Sequence, residues 1–198
     1  MKVLIACEFS GIVRDAFIAK GHDAWSCDLL PTERLGPHIQ GDVLAILNDG
    51  WEMMIAHPPC TYLANSGVQH LHKDKTRWDK MRDGRVFFMK LWLANIPKIA
   101  IENPTPHHFA DLPPYSQAIQ PWMFGNKAMK RTCLWLKNLP PLFCTEWVEE
   151  GEKYIMSNGK SNGAKWYQLL PTENRGHERS RTFQGIADAM ASQWGVRP

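Results

Sequence analysis

Long apolar runs, close cysteine pairs and internal repeats are all absent from this sequence. No stretch approaches the roughly 20 apolar residues of a membrane-spanning helix, and no export signal is visible, so we expect a cytoplasmic protein without a membrane partner. The five cysteines are scattered singly, without the spacing of zinc ligands, and we predict no metal site. Their odd number favours reduced thiols, most of them buried as small apolar residues.

A strong excess of one charge is also missing, because 23 basic residues face 20 acidic ones and leave a net charge of +3. This balance permits nucleic-acid binding without requiring it. Each of three basic clusters is either an exposed helix face or a contact for phosphate. These clusters are Lys73, Lys75, Arg77, Lys80, Arg82 and Arg85; Lys127, Lys130 and Arg131; and Arg175, Arg179 and Arg181. The length of 198 residues predicts one domain over 1–198.

Short apolar runs alternate with helical patterns along the chain. Residues 2–7 predict a strand, 12–20 a helix and 22–27 a second strand, which is the start of a βαβ unit. We therefore expect an α/β fold with a mostly parallel sheet flanked by helices. Further elements are predicted as helices over 77–94 and 185–194 and a late strand over 131–136, with a turn-rich stretch over 138–178 that includes a hairpin around Asn158-Gly159 and Asn162-Gly163.

The segment Pro58-Pro59-Cys60 directly follows the apolar run 53–56. Two prolines fix the backbone ahead of the cysteine, so its thiol is held out of the sheet. A second apolar run, 99–101, ends in Glu102-Asn103-Pro104. Because parallel strands can end at the same edge of a sheet, the thiol and the carboxylate are expected to face one substrate.

The turn Phe9-Ser10-Gly11 lies between the first strand and the first helix and resembles the cofactor loop of S-adenosylmethionine-dependent methyltransferases. Glycine permits a close approach of the backbone, and the amides at the helix N-terminus can hold the carboxylate of the cofactor. Asp28 is placed to accept hydrogen bonds from ribose hydroxyls, and Asp42 to hold the adenine amino group. The alternative is a tight turn followed by two ordinary aspartates at strand ends.

Seven segments taken in order resemble the motifs of DNA methyltransferases that act at carbon 5 of cytosine. They are Phe9-Ser10-Gly11, Asp28, Asp42, Pro58-Pro59-Cys60, Ser66-Gly67, Glu102-Asn103-Pro104 and Arg131. Residues 187–191 are similar to the last helix of that family, which lines the cofactor pocket. The resemblance covers nearly the whole chain. It implies a Rossmann-like S-adenosylmethionine-dependent methyltransferase fold, S-adenosylmethionine as cofactor, and DNA containing cytosine as partner.

The resemblance also implies a role for each site residue. Cys60 adds to carbon 6 of cytosine, so that carbon 5 becomes nucleophilic, and Glu102 holds or protonates ring nitrogen 3. Arg131 stabilises the thiolate or the base carbonyl, and Asn103 fixes the loop. His57 is interpreted as a structural histidine. The cofactor contacts are assigned to Phe9, Ser10, Gly11, Asp28, Asp42 and Pro58.

The sequence departs from the family in several places. Thr61 replaces a glutamine, Lys127 and Met129 replace a glutamine and an arginine, and Arg179-Ser180-Arg181 replaces glycine–asparagine–serine. The target-recognition domain is replaced by the short insert 138–178. We therefore expect short or relaxed specificity, as in small enzymes of phages and restriction–modification systems acting in a bacterium or a phage-infected cell. An accessory protein for target recognition stays open, and Trp166 or Tyr167 is a candidate for stacking on a flipped base.

Two other functions remain open at this stage. The same thiolate chemistry could modify carbon 5 of a free pyrimidine nucleotide, which would explain the missing recognition domain. A non-catalytic module could keep the fold and the cofactor pocket and act as an inhibitor or accessory subunit. The presence of both Cys60 and Glu102 disfavours the second alternative.

Overall fold

A computed structural model describes residues 1–65, 71, 74–151, 153–155, 161–164 and 179–196. The predicted segments Ser66-Gly67, Trp166 and Tyr167 lie outside this part of the chain. The helices are α1 (Ile12–Ala19), α2 (Thr76–Trp92) and α3 (Gln184–Trp194), with single 3₁₀ turns at Val43–Ala45, His108–Ala110 and Pro121–Met123. Within the described residues, every helix is too short or too polar to cross a bilayer.

Seven strands form one sheet in the order β3-β2-β1-β4-β5-β7-β6. Its strands are β1 (Lys2–Ala6), β2 (Asp23–Asp28), β3 (His38–Gln40), β4 (Met53–Ala56), β5 (Lys98–Asn103), β6 (Gln117–Ile119) and β7 (Thr132–Lys137). The neighbours from β3 to β5 all pair in parallel, as the sequence predicts. Strand β7 is antiparallel to both β5 and β6, so the sheet is mixed.

Helices cover the sheet on both faces, which explains why the central strands are apolar along their whole length. Val3 and Ile5 of β1 pack with α1 and α3 on one face. Leu4 and Ala6 of the same strand pack with α2 on the other. Successive side chains of a strand alternate between faces, so a strand buried on both sides is a continuous apolar run.

The strand order reverses between β1 and β4, because β1 continues to β2 and β3 while β4 continues to β5. In open sheets of this kind the carboxyl ends of the strands leave a crevice at such a point. The last register pairs at this edge join Cys27, Ala6, Ala56 and Ile101. The next residue along each strand is Asp28, Cys7, His57 and Glu102, so these four residues form a row across the edge.

The predicted hairpin near the C-terminal third is present in part. Strand β8 (Lys153–Ile155) pairs antiparallel with β9 (Ser161–Ala164). The intervening turn 156–160 lies outside the described residues. Asn162-Gly163, around which the sequence also suggested the hairpin, is part of β9. The register is irregular there, as in a β-bulge, between the pair of Lys153 with Ala164 and the pair of Ile155 with Ser161.

Candidate active site

The loop that follows β4 carries Cys60 and is anchored by its own backbone. The Cys60 carbonyl accepts hydrogen bonds from the amides of Leu63 and Ala64, each at 3.0 Å, which closes a tight turn. The Asn103 side chain, at the end of β5, donates from Nδ2 to the Pro58 carbonyl at 3.2 Å. Asn103 therefore fixes this loop, as predicted from the sequence.

The loops after β4 and β5 are also joined by main-chain hydrogen bonds. The Asn65 amide donates to the Thr105 carbonyl at 3.1 Å, and the His107 amide donates to the Leu63 carbonyl at 2.8 Å. These bonds flank an antiparallel bridge between Ala64 and Pro106. The loop that carries Cys60 is thus held against the segment that follows Glu102.

Glu102 forms a buried pair with His57. Its Oε2 lies 3.0 Å from His57 Nδ1, and the two side chains are only 12% and 8% exposed. Burial pushes the pKa of Glu102 up, but the hydrogen bond from His57, the charge of Lys130 and a hydrogen bond from Thr132 outweigh it, so the pKa is lowered overall. Glu102 is therefore an anion in the free protein at neutral pH.

Cys60 is half-buried and its pKa is raised, first by burial and then by the negative charge of Glu102. The charges of Lys130 and Arg179 act in the opposite direction. The structure thus brings the predicted thiol and carboxylate into one site, where each affects the ionisation of the other. In the free protein the thiol is protonated at neutral pH.

Arg131, the predicted cationic residue, lies on the other side of β7. In the register of β5 and β7, Glu102 is opposite Leu134, and alternation places Thr132 on the same face. Arg131 shares the face of Cys133 instead, and its exposed guanidinium donates to the Tyr115 hydroxyl at 3.1 Å.

Lys130 is a cation of this site that the sequence analysis did not name. It stands two residues before Thr132, and its charge lowers the pKa of both Cys60 and Glu102. Its Nζ also donates to the Arg181 carbonyl at 3.2 Å. The sequence named Arg131 because the motif spacing was counted along the chain, whereas the face of a strand is decided by alternation.

His57 is the site residue that the sequence analysis set aside. A signal for it existed, because His57 and Glu102 are each the first residue beyond the apolar part of neighbouring parallel strands. With the register of β4 and β5 in hand, Ala56 is opposite Ile101, and the next positions bring His57 beside Glu102. The missing information was the register.

The turn between β1 and α1 satisfies its own helix N-terminus. Glu8 is buried, and its carboxylate accepts hydrogen bonds from the amides of Val13 at 2.7 Å and Arg14 at 3.3 Å. The Ser10 hydroxyl accepts the Ile12 amide at 3.3 Å. We predicted that these amides hold the carboxylate of a cofactor, and this stays a prediction. In the free protein Glu8 and Ser10 occupy the amides, so a cofactor carboxylate would have to displace them.

Gly11 has a structural reason that differs from the predicted one. Its φ is +72°, and an added Cβ would lie 2.5 Å from the Arg14 guanidinium. The Arg14 side chain is fully buried and makes five hydrogen bonds. Its partners are the side chains of Asp15, Ser26 and Thr32 and the carbonyls of Arg34 and Leu35. Gly11 therefore makes room for Arg14, which ties the loop after β2 to α1.

Asp28 and Asp42 remain as acidic groups at the carboxyl edge. Asp28 Oδ1 accepts a hydrogen bond from the Leu30 amide, and Asp42 Oδ1 accepts one from the Leu44 amide, both at 2.9 Å. Burial first, and then the negative charges of Asp28, Cys27 and Asp42, raise the pKa of Cys7 to about 12. Both aspartates therefore affect the ionisation of the same residue, Cys7, at the carboxyl edge of the sheet.

The chemistry of these donors and acceptors fits one end of S-adenosylmethionine. Two carboxylates at neighbouring strand ends suit ribose hydroxyls and an adenine amino group. The carboxylate end of the cofactor would have to compete with Glu8 for the amides of Val13 and Arg14. Phe9 and Pro58 are buried, so each exposes little side-chain surface to a ligand.

The segment before α3 crosses this edge. Arg181 forms an ion pair with Glu33 at 2.6 Å, and the Glu33 amide donates to the Phe9 carbonyl at 2.9 Å. The Arg181 carbonyl accepts a hydrogen bond from Lys130 Nζ. The charge of the neighbouring Arg179 lowers the pKa of Cys60. Residues 179–181 thereby connect the turn before α1 with the loop that carries Cys60.

A pocket of about 280 Å³ lies between the Cys60 loop and α2. Its lining consists of Pro59, Tyr62, Lys80, Asp83, Gly84 and Phe87. The cations of Arg77 and Lys80 lie 4.9 and 5.5 Å from the centre of the Tyr62 ring. Two further basic residues of α2, Arg82 and Arg85, form ion pairs with Asp79 and Asp111. The predicted basic cluster is thus partly compensated.

Comparison with protein-family models and with curated proteins finds no match. Among solved structures, the chain is similar to an E. coli protein described as a DNA modification methyltransferase encoded within a prophage. The two are 13% identical, and the superposition has a TM-score of 0.47. The match covers 75% of this chain and 51% of the other, so this chain spans about half the length of that protein.

Proposed function

We propose that this protein is an S-adenosylmethionine-dependent methyltransferase that acts on carbon 5 of cytosine in DNA, with Cys60 as the nucleophile. The observation that carries the proposal is that the loop with Cys60 and the end of the strand with Glu102 are held together at one edge, by the hydrogen bond from Asn103 to the Pro58 carbonyl and by the bridge between Ala64 and Pro106. A thiol and a carboxylate are the two groups that this ring chemistry requires.

The reaction begins at the pyrimidine ring. Carbon 5 of cytosine is a weak nucleophile until the sulfur of Cys60 adds to carbon 6 and opens the 5,6 double bond. The proton lost by the Cys60 thiol would pass to the Glu102 carboxylate, which shares it with ring nitrogen 3 so that negative charge does not accumulate there. After carbon 5 has accepted a methyl group, a base removes the carbon 5 proton and Cys60 leaves, which restores the aromatic ring.

The residues fit a cofactor at the acidic side of the crevice. When bound, S-adenosylmethionine supplies an electrophilic methyl group, and Asp28 and Asp42 would hold its ribose hydroxyls and its adenine amino group. The role of Arg131 as a contact for the base carbonyl stays a prediction. The positive charges of Lys130 and Arg179 favour the thiolate form of Cys60.

Ionisation of Cys60 is coupled to substrate through Glu102. In the free protein, burial and the charge of Glu102 keep the thiol protonated. When Glu102 shares a proton with ring nitrogen 3, its negative charge is compensated and one cause of the raised thiol pKa disappears. The thiolate therefore forms when the base is bound, and the resting thiol resists oxidation.

The test is mass spectrometry of nucleosides from DNA incubated with the protein and S-adenosylmethionine. We expect 5-methylcytosine with the wild type, none with Cys60→Ala, and wild-type amounts with Cys144→Ala as the matched control, since Cys144 is exposed and lies outside the site. Cofactor binding should survive in Cys60→Ala. Methylation by Cys60→Ala would show that the nucleophile is wrong.

A free pyrimidine nucleotide is the second candidate substrate. In the described part of 138–178, regular structure is limited to the two short strands β8 and β9, which is little for a target-recognition domain. Salt distinguishes the two substrates, because DNA binding weakens steeply with rising salt and binding in a nucleotide pocket responds mildly. Cofactor binding without methylation of either substrate would favour a non-catalytic module.

A further inference from the structure

We infer that His57 is a positioning residue of this site, which holds Glu102 through Nδ1 so that the second carboxylate oxygen faces ring nitrogen 3 of the pyrimidine. The inference rests on the proposed function for the identity of the substrate. The pairing of His57 with Glu102 itself is a property of the free protein.

The first support is the geometry of the pair. His57 and Glu102 are adjacent in the parallel register of β4 and β5, and Nδ1 meets Oε2 at 3.0 Å. Both side chains are about nine-tenths buried, so neither can rotate without losing packing. Because His57 holds Oε2, and Thr132 also hydrogen-bonds to the carboxylate, the orientation of the Glu102 carboxylate is fixed within the site.

The second support is an unpaired nitrogen. His57 Nε2 is buried, and no hydrogen-bond partner for it exists in the described part of the chain. A buried imidazole nitrogen without a partner costs stability whether it carries a proton or not. Most buried polar groups in native structures have a partner, so this nitrogen requires an explanation, and a polar atom of a bound ligand would supply the partner.

Charged and titratable groups surround the pair from several elements. Glu102 faces His57 from β5, and Cys7 follows it in register from β1. Lys130, which precedes β7, acts on Glu102, and Arg179, which precedes α3, acts on Cys60. The hydrogen bond from His57 and the charge of Lys130 both lower the pKa of Glu102. Loss of His57 should therefore raise the pKa of Glu102, because the largest of the influences that oppose the effect of burial is removed.

The two nitrogens of His57 can be tested separately by substitution. Asparagine places an amide N–H near the position of Nδ1 and can still donate to Glu102. Glutamine reaches further and places its amide near Nε2. The inference predicts that His57→Asn keeps Glu102 in place, whereas His57→Gln and His57→Ala do not.

The matched control is His22→Asn. His22 is a second buried histidine, which precedes β2 at the opposite edge of the sheet and contacts the Phe17 ring. It allows the cost of losing a buried imidazole to be separated from the effect on the site. All variants are first compared in thermal unfolding, and only folded variants are assayed.

The kinetic readout is the methylation of DNA. His57→Ala and His57→Gln should lower kcat by about 10- to 100-fold with little change in KM, since a misplaced Glu102 acts in the transition state. His57→Asn should recover most of that loss, and His22→Asn should show none. In His57→Ala the limb of the kcat/KM profile that reports Glu102 should move to higher pH.

A second readout needs no turnover. Nitrogen NMR of labelled histidine should show the His57 Nδ1 proton in the wild type and its change in Glu102→Gln, and carbon NMR should show the Glu102 carboxyl titrating at higher pH in His57→Ala. If the wild type makes no 5-methylcytosine but the NMR shifts occur, the proposed function fails and the pairing stands. Unchanged Glu102 titration, or a folded His57→Ala with wild-type kcat and pH profile, overturns the inference.

Discussion

Two polar clusters at the carboxyl edge of the sheet differ in how completely they are satisfied. In the cluster around α1, Glu8, Ser10 and Arg14 all have partners within the fold. In the cluster around Cys60, His57 Nε2 and Asn103 Oδ1 are buried without a partner in the described residues. Buried polar groups are normally paired, so the cluster with unpaired atoms is the better candidate for binding and catalysis.

The first turn has a role within the fold that the sequence does not suggest. A glycine-containing turn before a helix suggests a binding site for a ligand. Here the positive end of the α1 dipole is instead neutralised by the carboxylate of Glu8, which belongs to the same turn. Gly11 serves the burial of Arg14. A cofactor at this edge would therefore depend on Asp28 and Asp42 more than on the helix amides.

Arg14→Met should have the largest effect on stability. The substitution removes a fully buried guanidinium and leaves the Ser26 and Thr32 hydroxyls and two carbonyls without their donor. We expect the free energy of unfolding, measured with urea, to fall by about 3 kcal/mol. The control is Arg82→Met, whose ion pair with Asp79 is exposed and should contribute less than about 0.5 kcal/mol. Equal losses in the two variants would show that the α1 cluster is not the structural one.

Glu8→Gln should have a smaller effect. It removes the charge that the α1 amides of Val13 and Arg14 bind but keeps the shape, so we expect a loss of about 1 kcal/mol in the free energy of unfolding. Glu149→Gln, at an exposed site, is the control. The affinity of Glu8→Gln for S-adenosylmethionine is measured as well. A marked rise in affinity for S-adenosylmethionine would mean that its carboxylate competes for these amides, and the assignment of this cluster as structural would fail.

The central strands were predictable because their sequences carry the evidence locally. The runs 3–6, 53–56 and 99–101 are apolar at every position, and the structure buries them on both faces. Once they are parallel neighbours, Cys60 and Glu102 must reach the same edge. The ends of the helices were predicted to within one or two residues for the same reason.

The parts that were missed depend on long-range geometry. The pairing of His57 with Glu102 needs the register of two strands that are 45 positions apart in the chain. The contribution of Lys130 to the site depends on the face on which β7 begins. The return of Glu8 to the α1 amides needs the side-chain conformation inside a turn. None of these is encoded in residue spacing alone.

Thiol reactivity should give the smallest effect and the sharpest contrast between the clusters. Burial, and then the charge of Glu102, raises the pKa of Cys60 above 9.0, so alkylation should be slow at pH 7 and accelerate about tenfold per pH unit. Glu102→Gln should speed alkylation of Cys60 a few-fold at pH 8, because the raising charge is lost, and Lys130→Gln should slow it. The control is Asp28→Asn, which affects Cys7 instead.

Cys7 sets the baseline for that measurement. Its pKa of about 12 predicts no alkylation in the folded protein over the same pH range, although it lies at the same edge. The experiment uses a Cys144→Ser background, since Cys144 is exposed and would react first. If Cys60 in this background reacts as quickly as Cys144 does in the wild type at pH 7, or if Glu102→Gln leaves the rate of Cys60 unchanged, thiol and carboxylate are not coupled. Cys60 would then be a nucleophile without the control by Glu102 that this site geometry predicts.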